Sequence, residues 1–74
     1  MQLNEFVQSL DHFDACEFVR TSRKGNAVHK AVCTRYYHDT PTTLCEETWI
    51  WSVIANPTGE VINYTCEDYD HVTL

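Results

Sequence analysis

The chain opens with apolar residues at helical spacing. Leu3, Phe6, Val7, Leu10 and Phe13 fall on one side of a 3.6-residue repeat, with Glu5, Gln8 and Asp11 on the other. This predicts one amphipathic helix over about residues 3–12. Asn4 or Gln2 can open it, Glu5 suits its positive end and His12 its negative end. From Cys16 onward the period changes to two. The stretches "CEFVRTS" and "AVHKAVCTRYY" alternate β-branched and aromatic residues with polar ones, which predicts two strands. Arg23-Lys24-Gly25-Asn26 between them has the Gly and Asn that tolerate positive φ, so residues 15–37 read as a hairpin.

Pro41 and short polar residues interrupt the alternation in "HDTPTTL", so residues 38–44 are expected to form a loop. A second hairpin is expected over about residues 46–69. Its strands, "ETWIWSVIA" and "EVINYTCEDY", flank Asn56-Pro57-Thr58-Gly59, where Pro fits position i+1 of a type I turn and Gly the left-handed position after it. The fold class is therefore α+β: one N-terminal amphipathic helix packed on a four-stranded antiparallel sheet made of two hairpins, in one domain over residues 1–74. No repeat or linker divides it.

One helix covers one face of such a sheet. On the third predicted strand Trp49, Trp51 and Val53 point one way while Ile50 and Ile54 point the other, so both faces are apolar and one lacks a cover. A homodimer or a partner is expected there. Tyr36, Tyr37, Trp49, Trp51, Tyr64 and Tyr69 supply the residue types in which binding energy concentrates.

Size sharpens this expectation. A chain of 74 residues buries only about 60% of the surface its unfolded form exposes. Its 43% hydrophobic content and two glycines nonetheless fit a folded domain rather than a disordered one.

Charge is distributed unevenly. The formal net charge is −6, and all five Lys and Arg residues lie between residues 20 and 35. Such asymmetry steers encounters with charged partners. Glu46 and Glu47 precede one strand of the second hairpin, and Glu67, Asp68 and Asp70 end the other. Carboxylates two apart on a strand are roughly 6.6 Å apart, which approaches the interval between phosphates along a nucleic-acid strand. The leading expectation is a partner-binding site of Glu46, Glu47, Trp49, Trp51, Glu67, Asp68, Tyr69 and Asp70, gripping a basic nucleic-acid-binding protein by occupancy. The alternative is a nucleic-acid-binding module using Arg20, Arg23, Lys24, Lys30 and Arg35. Against it, a net negative charge repels a polyanion, so direct nucleic-acid binding is not expected.

Catalytic chemistry has little to work with. The chain has neither a Gly-rich phosphate loop nor a hydrolase elbow, and its cysteines fall on or beside strands without an adjacent base, so no enzyme activity and no cofactor are expected. The spacing C-x16-C-x11-C-x20-C lacks the close pairs of a zinc site. His29 and Cys33 stand roughly 13 Å apart along a strand. A metal-stabilised structural domain is therefore a third alternative and no metal ligand is assigned. If the first hairpin turns at Lys24-Gly25, Cys33 falls opposite Cys16 and His29 opposite Arg20, with reduced thiols expected rather than a disulfide.

The first ten residues lack a positive n-region and carry Glu5, unlike a secretory signal, and no apolar run reaches the roughly 18 residues of a membrane span. Location in the cytoplasm, without membrane association, is expected. The sequon Asn63-Tyr64-Thr65 then falls on a strand with no export route to use it. In composition alone, the small, acidic, aromatic-rich chain resembles phage proteins that block host nucleic-acid machinery, the anti-CRISPR and anti-restriction inhibitors. That resemblance implies an inhibitor acting in a host cytoplasm and transfers no site residue.

Overall fold

The computed structural model describes residues 1–74 and shows a short helix followed by a four-stranded antiparallel meander. The elements are α1 (Leu3–Ser9), β1 (Phe13–Thr21), β2 (Ala27–Thr40), β3 (Thr43–Ala55) and β4 (Val61–Thr73). The strands lie in the order β1-β2-β3-β4, so each chain neighbour is also a sheet neighbour.

The helix is shorter than its periodicity predicts. The Gln2 backbone N–H donates to Glu5 Oε1 at 3.3 Å, and the Ser9 hydroxyl donates to the Phe6 carbonyl at 2.6 Å. Leu10 is already extended, and His12 adopts φ 61. That left-handed residue reverses the chain, and its carbonyl accepts from the Thr34 N–H at 2.9 Å. The last apolar position of the repeat, Phe13, therefore starts β1 instead of prolonging α1.

The start of the chain pins the helix to the sheet. Gln2 forms an isolated antiparallel bridge with Glu60, and the Leu3 N–H donates to the Gly59 carbonyl at 3.0 Å. The β3–β4 turn that receives it is braced by Asn56 Oδ1, which accepts from the Thr58 N–H, the Thr58 hydroxyl and the Glu60 N–H. Gly59 has φ 87, and a Cβ there would meet Gln2 Oε1 at 2.8 Å. Glycine is thus favoured at that position by its left-handed backbone, while the flexible Gln2 amide can move aside from a Cβ.

Two expectations are corrected. Residues 38–44 do not form a loop: β2 runs to Thr40 and β3 begins at Thr43, leaving Pro41-Thr42 as a tight turn. Pro tolerates that place because it needs no N–H there, and β-branched threonines extend both strands around it. The first hairpin also has a different register. Cys33 lies opposite Phe13, Cys16 opposite Ala31, and His29 opposite Phe18. Its turn spans Ser22 to Asn26, with the Gly25 N–H donating to the Ser22 carbonyl, and bulges between Phe13 and Ala15 and between Phe18 and Arg20 each slip the pairing by one residue.

α1 lies on the Trp51 and Val53 face. Val7, Ala31 and Val53 form the dry centre, with Leu3, Phe6, Leu10, Phe13, Cys16, Trp51 and Val61 packed around it. Seven residues at about 1.5 Å each reach roughly 10 Å, whereas the molecule measures 49 × 21 × 15 Å. The helix therefore covers one end of one face. Past Cys33, β1 has no pairing, and β2, β3 and β4 continue as a three-stranded arm that no helix covers. Only seven residues in the whole chain are buried.

Burial sorts the four thiols, all of them free: Cys33 and Cys45 are buried, Cys16 is half-buried and Cys66 is exposed. Burial raises the Cys33 thiol above its ordinary value of 9.0, with the Cys66, Asp11 and Asp14 charges adding to the effect. In the folded protein a thiol-specific alkylating reagent is expected to label Cys66 first and to leave Cys33 and Cys45 untouched until denaturant is added. Mass spectrometry of the labelled peptides checks this order.

Candidate functional site

Directly paired residues in a sheet project from the same face, so the register divides the expected site in two. Glu47, Trp49, Trp51 and Tyr69 stand on the helix-bearing face, through the pairs Glu47–His71 and Trp49–Tyr69. Glu46, Asp68 and Asp70 stand on the opposite face, through the pairs Ile50–Asp68, Thr48–Asp70 and Glu46–Val72. Glu67 occupies the β4 irregularity between Cys66 and Asp68 and borders a shallow hollow with Ile50 and Ser52. The eight residues thus gather at one end of the β3–β4 hairpin, on both sides of it.

The helix-bearing side is an aromatic row. Trp49 stacks on His12 with centroids 6.1 Å apart and 15° between planes, and it also meets Tyr69 at 5.6 Å. Trp51 meets Tyr64 at 6.1 Å, and Tyr64 meets Phe6 at 4.7 Å. Both indoles are half-buried. A cleft of about 470 Å³ opens between the end of α1 and the sheet, bordered by Leu10, Asp11, His12, Arg35 and the two Trp rings. Beyond it Arg35 Nε pairs with Glu47 Oε1 at 3.1 Å, and its guanidinium lies 4.4 Å from the Tyr37 ring centroid. The Tyr69 hydroxyl donates to Glu47 Oε2 at 2.5 Å, and the Tyr37 hydroxyl lies 2.8 Å from His71 Nε2. Glu47 is therefore satisfied within the fold.

On the opposite side the carboxylates have hydrogen-bond donors, the His71 N–H to Asp70 Oδ1 at 3.0 Å and Tyr36 to Glu46, but no cationic partner. The three ion pairs of the molecule are Met1 N-terminus–Glu60, Lys30–Glu17 and Arg35–Glu47, none of which engages Glu46, Glu67, Asp68 or Asp70. Asp68 lies across from Ile50, whose other neighbour is Val32, and Asp70 and Glu46 continue along the same face away from the helix-bearing end. β4 is also a free sheet edge, exposed at every position from Ile62 to Leu74.

The basic residues are dispersed. Arg35 is on the helix-bearing face and already paired, and Lys30 on the other face pairs with Glu17 at 3.9 Å. Arg20, Arg23 and Lys24 alone cluster without an ion pair, near the β1–β2 turn. No three His, Cys, Asp or Glu side chains converge in a way that would hold a metal ion. No helix is long and apolar enough to cross a membrane.

Two contributors, His12 and Arg35, lie outside the residues expected for this site. His12 reaches Trp49 only because of its left-handed backbone, for which its neighbours carry no signal. Arg35 alternates with Tyr36 onto the helix-bearing side, so its departure from the basic group was readable from strand parity alone.

The phenols record the local charge. Tyr69 is raised above its ordinary value of 10.0 by its hydrogen bond to Glu47, then by desolvation and the Glu47 charge. Tyr36 is raised by Glu46, first through hydrogen bonding, and Tyr37 chiefly by desolvation. Groups whose folded pKa lies above the unfolded value add stability at low pH and lose it as pH rises. With Cys16 and Cys33 also raised from 9.0, stability is expected to decline above about pH 9 and to keep falling as the phenols ionise. Thermal melts followed by circular dichroism across that range check it.

Comparison with protein-family models, with curated proteins and with solved structures returned no match.

Proposed function

We propose that this chain is a small binding protein that acts by occupancy, without chemistry, on a basic nucleic-acid-handling protein. The observation that carries the reading is the uncompensated acidic rim on a free edge: Glu46, Glu67, Asp68 and Asp70 have no ion-pair partner, and β4 is exposed along its length. Asp68 and Asp70 project from one side of β4, roughly 6.6 Å apart. A partner groove embracing the β4 edge meets these carboxylates on one side and Tyr69, Trp49 and Glu47 on the other. Trp51 extends the aromatic row toward the helix.

Electrostatic complementarity of this kind sets partner choice and association rate, while aromatic anchors supply affinity. An inhibitor of the anti-CRISPR or anti-restriction type, working in a host cytoplasm, has this design. The compositional resemblance supports that reading.

Arg20, Arg23 and Lys24 are too few, and Arg35 and Lys30 too engaged, to favour direct nucleic-acid binding. Labelled DNA and RNA are expected to show no electrophoretic shift even at low salt. The proposal itself is tested by capture from host lysate, comparing the wild-type chain with a variant carrying Glu46→Gln, Glu67→Gln, Asp68→Asn and Asp70→Asn. The wild type should retain a basic nucleic-acid-binding protein and the variant should not. Equal recovery by both refutes the assignment.

A further inference from the structure

We propose that the other free edge, β1, pairs antiparallel with β1 of a second copy of this chain, giving a twofold dimer. β1 is exposed as an edge strand, and its centre carries Phe18 and Val19 at 59% and 52% exposure. Apolar side chains of this size on an unpaired strand form a template for another chain.

Charge identifies the occupant. The first half of the β1 edge carries Asp14 and Glu17, while its second half and the turn beyond carry Arg20, Arg23 and Lys24. Of these five only Glu17 has an ion-pair partner, Lys30, at 3.9 Å. A strand acidic at one end and basic at the other is complementary to itself when reversed. With a twofold axis between Phe18 and Val19, Glu17 faces Arg20 of the second copy and Asp14 faces its Arg23, each pair occurring twice. Glu17 and Arg20 also lie on the same face, through their partners Lys30 and Val28 on β2. The bulges in β1 keep the main-chain ladder short, so side-chain charge sets the register.

β4 makes the contrast. Its only charged residues are Glu67, Asp68 and Asp70, so β4 against β4 sets like charges together. Pairing through β1 yields an eight-stranded sheet in which both acidic edges face outward, two copies of the proposed partner site at opposite ends. The dimer does not depend on that function.

Charge-swap rescue tests it by sedimentation equilibrium at low salt. The wild type should dimerise in the micromolar range and dissociate as salt rises. Arg20→Glu with Arg23→Glu leaves Lys24 in the turn as the one basic residue of an otherwise acidic β1 edge, and Asp14→Arg with Glu17→Arg removes every acidic residue from it. Each variant alone should be a monomer, its dimer dissociation constant raised on the order of a hundredfold. Mixed in equal amounts, the two should recover a heterodimer. Circular dichroism of each variant shows that the fold is kept. A monomeric wild type, dimers that persist in both single variants, or folded variants that stay monomeric when mixed would each overturn the proposal.

Discussion

Val53→Asp is expected to abolish the folded state at room temperature. Val53 and Ala31 have no exposed surface, and with Val7 they form the dry cluster on which α1 rests. An aspartate at position 53 has no cationic partner within that cluster. Whether it stays charged or takes up a proton at neutral pH, the cost is about 4 to 7 kcal/mol. A domain of this size is stable by only about 4 to 11 kcal/mol, and seven buried residues place it at the low end. Val53→Ala, which only removes methyl groups, should cost about 1 to 3 kcal/mol and lower Tm by roughly 10 °C. Circular dichroism melts of the two variants separate the cases. A cooperative melt for Val53→Asp near the wild-type Tm would show that the core lies elsewhere.

The second large effect concerns binding. Neutralising Glu46, Glu67, Asp68 and Asp70 should weaken capture of the basic partner on the order of a hundredfold at physiological salt. It should leave Tm unchanged or raise it. The four carboxylates take no part in any ion pair, so their removal relieves repulsion within a chain of net charge −6. The exposed hydrogen bonds that Asp70 accepts from the His71 N–H and Glu46 from Tyr36 can still be accepted by the amide oxygens that replace them. Lost binding with retained or improved stability is the signature of surface kept for a partner. A fall in Tm would mean that the rim serves the fold. Glu47→Gln offers the contrast: it removes the Arg35 ion pair and the carboxylate that accepts from Tyr69, and so should lower stability.

The strands were legible because alternation survives from Cys16 to Tyr69 with few interruptions, and Gly25 and Gly59 stand where left-handed backbone is needed. The pairing register was less legible. A bulge inserts a residue without changing composition, and nothing in "FDACEFVRT" marks the slips at Asp14 and Val19. The 38–44 segment misled because Pro and Thr read as loop by type, while Thr40 and Thr43 are equally good strand formers.

Within the candidate site, the splitting of Glu46 from Glu47 follows from strand alternation and was readable from the sequence. The satisfaction of Glu47 by Arg35 and Tyr69 was not, because it depends on which strands are neighbours and in what register. The aromatic surplus was legible as residue types. Its partial cover by α1 follows from a helix that ends at Ser9 rather than residue 12.

Competition at the captured partner tests the central claim most directly. If the acidic edge occupies a groove built for phosphates, adding the partner's own nucleic acid to the immobilised complex should release the partner in proportion to nucleic-acid concentration, and the two ligands should never be bound together. Stable retention of the partner with nucleic acid bound alongside, a ternary complex, would contradict the account.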